Sequence, residues 1–127
     1  MNYGISKTTN LTYEQAVEKV TEELKKEGFG VLTTIDVKET LKKKIDVDFK
    51  KYIILGACNP SFAYQTLQAE EQIGLLLPCN VIVYKKGNET VVAAFDPMMM
   101  GQLIDNPKIE PVAMEVRARL ERVIAAI

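Results

Sequence analysis

The chain has 127 residues, with 16 Lys and Arg against 17 Asp and Glu, a net charge of −1 and no histidine. Its length suits one domain, and 47% apolar with 26% charged residues predicts a packed fold over residues 1–127 rather than a disordered chain. The composition argues against a nucleic-acid partner, because no basic excess is there to neutralise phosphates, and the missing histidine excludes Cys-His and Ser-His catalysis and imidazole-ligated zinc.

The first residues, Met1 to Lys7, lack the apolar stretch of a signal peptide. No run of about 18 apolar residues suggests a membrane span. With two cysteines and no secretory signal, the expected setting is the cytoplasm and the expected thiols are reduced. Residues 2–8, with Tyr3 and Ile5, read as a short strand. Thr12 and Gln15 form a capping box for a helix, and Leu11 is placed to staple against Ala16. Tyr13, Ala16, Val17, Val20 and Leu24 then recur at three- and four-residue steps, the stripe of an amphipathic helix. Gly28 supplies its left-handed stop.

Phe29 to Ile35 reads as a strand in which Phe29, Val31 and Thr33 alternate with Gly30, Leu32 and Thr34. Asp36 and Glu39 open a short helix to about Lys44, whose Lys42-Lys43-Lys44 end is a solvated terminus that favours cations. Lys51 to Ala57 is a strand, and Pro60 to about Ile73 a helix. Cys79 to Tyr84 and Thr90 to Phe95 form a hairpin across Lys85-Lys86-Gly87-Asn88. Asp96-Pro97 begins a short turn or helix through Met98-Met99-Met100, and Pro111 to Ile127 is the last helix. The predicted class is α+β in the order β-α-β-β-β-β-α: a mostly antiparallel five-stranded sheet with two long helices on one face. The strands at 52–57, 81–84 and 91–95 are apolar on consecutive residues, so both faces call for burial. A second copy of the chain covering the open face predicts a homodimer with twofold symmetry.

Chemistry points to two repeated segments, Gly56-Ala57-Cys58-Asn59-Pro60 and Leu77-Pro78-Cys79-Asn80. Both cysteines precede asparagine and both adjoin a proline. Asn59 is a good N-cap and Pro60 fits the first helical position. Cys58 then lies at a helix N-terminus, where the dipole favours thiolate. If the strands before Cys58 and after Cys79 are antiparallel, both sulfurs lie at one end of the sheet. A parallel crossover would separate them. The candidate ligand-binding residues are therefore Cys58, Asn59, Pro60, Cys79 and Asn80. Two thiolates with the thioether of Met98 would suit a soft metal such as Cu(I), or zinc with a fourth ligand. The bland alternatives are packing for the cysteines and methionines and helix capping for Asp36 and Asp96.

These segments, with Gly28-Phe29, Thr34-Ile35-Asp36-Val37 and Asp96-Pro97 followed by methionine, run in order along most of the chain. As a set, the chain resembles the domain-of-unknown-function 302 family. The resemblance implies a TATA-binding-protein-like fold, with a curved antiparallel sheet and helices on one side, and small homodimers. It marks the two Cys-Asn segments as signature positions without giving them a task, and it implies no DNA binding, since fold does not carry function. Three functions follow in order: a homodimer that binds a small molecule or metal at the Cys-Asn segments, a structural or regulatory interaction module in which the cysteines only pack, and a thiol-dependent redox protein with Cys58 as nucleophile and Cys79 as resolving partner.

Overall fold

A computed structural model describes residues 2–127; Met1, the first residue of the expected domain, lies outside the described residues. The elements are β1 (Gly4–Thr9), α1 (Tyr13–Lys26), β2 (Gly30–Asp36), α2 (Val37–Ile45), β3 (Tyr52–Cys58), α3 (Pro60–Ala69), a 3₁₀ segment (Glu71–Leu76), β4 (Cys79–Lys86), β5 (Glu89–Phe95), α4 (Met99–Leu103) and α5 (Ile109–Ala125). The strands form one sheet in the order β1-β5-β4-β3-β2, and every neighbouring pair is antiparallel. The α+β class and the five-stranded antiparallel sheet are as the sequence predicts.

Helix α1 begins as expected. The Thr12 hydroxyl accepts from the Gln15 N–H at 3.1 Å, and the Gln15 side chain accepts from the Thr12 N–H at 3.0 Å. It ends in a Schellman arrangement: Gly28, at φ 86°, donates to the Lys25 carbonyl, and Phe29 donates to that of Leu24. Its apolar stripe, Ala16, Val20 and Leu24, is fully buried against Val116, Leu120, Val123 and Ile124 of α5 and against Leu55, Val81, Val83 and Val92 of the sheet. That cluster is the main core. Arg122 of α5 makes a two-pronged pair with Glu27 at 2.8 and 3.1 Å, tying the end of α1 to α5.

Three local departures from the predicted pattern have physical causes. In β2 the register shifts between Val31 and Thr33. Phe29 and Val31 face the core, but the bulge turns Leu32 outward at 67% exposure and sets Thr33 opposite Gly56, so the strict alternation fails. The helix expected from Pro60 to Ile73 stops at Ala69. Glu70 is extended (φ −145°), and Asn106 donates to the Ala69 carbonyl at 2.8 Å, satisfying a group that the helix end leaves free. The following 3₁₀ segment buries Ile73 completely in a second, smaller cluster with Met100 and Ile109. The last helix starts two residues before Pro111, which falls in its first turn, where a missing N–H costs nothing because no intrahelical acceptor exists.

The other sheet face is apolar and only partly covered. Register places Ile35, Ile54, Ile82 and Ala93 in one row across it. Ile35 is 48% exposed, and the other three are half-buried. Tyr52 and Tyr84 stack beside this row, with centroids 5.2 Å apart. Among the described residues no helix is long and apolar enough to cross a membrane.

Candidate functional site

Strand β3 ends at Cys58 and β4 begins at Cys79. They run antiparallel with Ala57 opposite Cys79 and Gly56 opposite Asn80. The two cysteines therefore lie at the same end of the sheet, as the antiparallel alternative requires. Both are free. Asn59 holds extended backbone (φ −102°, ψ 105°) and caps α3, its Oδ1 accepting from the Phe62 N–H at 3.5 Å, with Pro60 at the first helical position. Gly56 is needed at the crossing, because a Cβ there would run into Thr33 Oγ1 and approach Pro78 Cγ at 2.8 Å.

Cys58, Asn59 and Cys79 line a shallow, open-mouthed cleft with a cavity volume of about 40 Å³, enough for a few waters and smaller than a site that encloses a whole drug-sized molecule. Ala57, Leu77 and Pro78 form its sheet end. Phe62, Ala63 and Thr66 of α3 form one wall, and Val112, Ala113 and Val116 of α5 the other. The α3 residues share one helical face, and the α5 residues belong to the face turned inward. Pro60 and Asn80 are exposed and stand outside the lining. Met98 is outside it too. Its N–H donates to Asp96 Oδ1 at 3.0 Å, while Met100, only 3% exposed, is the methionine that reaches the cleft.

Polar capacity inside the cleft is small. The Thr66 hydroxyl donates to the Ala63 carbonyl at 2.9 Å. Arg119 lies over the Phe62 ring, its Cζ 4.9 Å from the centroid, and is held by the Glu27 carbonyl at 2.9 Å and by Glu115 at 3.0 Å. Arg119 is outside the lining. Asn59 Nδ2 sits where it would be 2.9 Å from a Cβ on Gly28, so the α1 stop and the α3 cap are packed together.

Electrostatics in the cleft run against the expected thiolate. Burial raises the Cys58 thiol above its ordinary value. Burial pushes Cys79 up to about 11, with the neighbouring Cys58 adding to the effect. Burial is the cause that sets the direction at both thiols. The soft-metal set is not assembled as expected: Met98 is outside the cleft, and no three His, Cys, Asp or Glu residues among those described come together as a metal group. The carboxylates considered for it are engaged elsewhere: Asp36 caps α2, while Asp96 pairs with Arg117 and makes no side-chain cap on α4. Asp36 accepts from the Glu39 N–H at 3.0 Å, and both Asp96 oxygens meet Arg117 Nε at 3.1 Å.

The sequence from residue 5 to 127 matches the family model described as "Domain of unknown function DUF302". The fold is similar to the crystal structure of an uncharacterised conserved DUF302 protein from Bacillus stearothermophilus, at 28% identity and a TM-score of 0.92 over 99% of this chain and 98% of the other. No curated protein matches the chain.

Proposed function

Since the chain belongs to the DUF302 family, whose description assigns no activity, we propose a function from its own geometry: a small-molecule-binding protein, acting as a homodimer, with its ligand in the cleft at Cys58 and Cys79. The observation that carries this reading is the cleft itself. Two repeated Cys-Asn segments, far apart in sequence, meet at one sheet end and share an apolar cavity with α3 and α5. Pockets of this kind, concave and mainly apolar with few polar groups, are where small ligands bind. Two free cysteines suit a reducing, cytoplasmic setting.

Binding rather than thiol chemistry is favoured because both thiols are held in the protonated form, and the thiolate is the nucleophile. The dimer rests on the half-covered apolar row Ile35, Ile54, Ile82 and Ala93, since exposed contiguous apolar surface marks an interface. The ligand reading is tested by the alkylation rate of Cys58 with and without a neutral apolar probe, N-phenyl-1-naphthylamine. An occupied cleft slows the reaction; an unaffected rate at every probe concentration removes the cleft as a ligand site.

A further inference from the structure

We propose that the cleft selects an uncharged, apolar small molecule, a reading that rests on the cleft being the ligand site. The lining contains no Asp, Glu, Lys or Arg. Its hydrogen-bonding groups are largely occupied: Thr66 Oγ1 donates to the Ala63 carbonyl, and Asn59 Oδ1 accepts the Phe62 N–H. The cation nearest by contact, Arg119, stacks on Phe62 while bonded to the Glu27 carbonyl and to Glu115. The carboxylate of Asp96 is paired with Arg117.

A ligand entering this space gives up water to Phe29, Phe62, Met100, Val112, Val116 and Pro97. Apolar surface gains from that exchange. A carboxylate or ammonium would lose its hydration with no counter-charge to meet it, and burying an unpaired charge is costly. The two remaining ionisable groups, the thiols of Cys58 and Cys79, are neutral acids near pH 7 and offer neither sign of charge.

The test is a matched series, 1-octanol, octanoate and octylammonium, each competing at pH 7 with N-phenyl-1-naphthylamine followed by fluorescence. Octanol is expected to displace the probe at a concentration at least about tenfold lower than either ion. Ala63→Phe, which fills one wall, is expected to weaken the probe and octanol together, while Leu75→Ser, at a position 84% exposed and outside the lining, leaves both unchanged. Should Ala63→Phe fail to fold, Cys58→Asp serves instead: a carboxylate in the cleft is expected to improve octylammonium relative to octanol. Octanoate or octylammonium binding as well as octanol, with Ala63→Phe still disruptive, overturns the proposed ligand class and leaves the cleft as a site. Probe binding that neither cleft variant alters overturns both.

Discussion

Cys79 is 7% exposed, and the fold raises its thiol from 9.0 to about 11. A thiol raised in the folded state favours the protonated form there. Its contribution to stability is complete below pH 9.0, the unfolded value, and is lost as pH rises towards 11. A shift of this size corresponds to at most about 2–3 kcal/mol. Cys58, Tyr13 and Tyr52 are also raised by burial and act in the same direction, so comparison with a variant is needed to isolate Cys79. Cys79→Ala is predicted to lose less stability than the parent chain between pH 9 and 11 in urea titrations. Equal losses would mean that Cys79 is not desolvated as described. The two cysteines stood out in the sequence through their shared Asn and Pro neighbours, but their ionisation did not. The local signal, a helix N-terminus, favours thiolate. Burial of Cys79 in the core cluster with Val116 and Leu120, distant in sequence, pushes the other way.

At the scale of elements, the starts and stops were the most readable parts because each is a local exchange of hydrogen bonds. Thr12 and Gln15, Asp36, Asn59 and Gly28 do what their positions predict. Thr12→Ala is predicted to destabilise the protein by about 1 kcal/mol in urea unfolding while leaving the reactivity of Cys58 unchanged, since Thr12 lies outside the cleft. A loss near zero would show that the capping box contributes nothing. The bulge at Leu32 and the break at Glu70 were not readable. The first answers Gly56 across β3, where Thr33 fills the space that a side chain would take. The second answers Asn106 in the α4–α5 connection and the burial of Ile73. Both causes are long-range, and neither leaves a mark in the local sequence.

For the whole molecule, apolar residues on consecutive strand positions indicated a sheet with two buried faces. Helices α1 and α5 cover one of them, and the other carries the row from Ile35 to Ala93. Ile54→Asp, in the middle of that row, is predicted to convert a dimer to monomer in sedimentation velocity, with its circular dichroism unchanged. Met114→Ser, 56% exposed on α5, is predicted to remain dimeric. A parent chain that sediments as a monomer, or an Ile54→Asp chain that stays dimeric, rules out this face as the interface. The cleft was half legible. Its sheet end could be anticipated from the two Cys-Asn segments, while its walls depend on how α3 and α5 pack. That packing brought in Met100 where Met98 was expected and left Pro60 and Asn80 outside.

Whether the cleft at Cys58 and Cys79 holds a ligand is read by following modification of Cys58 with N-ethylmaleimide by mass spectrometry as N-phenyl-1-naphthylamine is added. Half-buried Cys58 is predicted to react before buried Cys79, and its rate to fall progressively as the probe saturates. A Cys58 rate that stays constant across the whole titration would mean that the cleft holds no ligand.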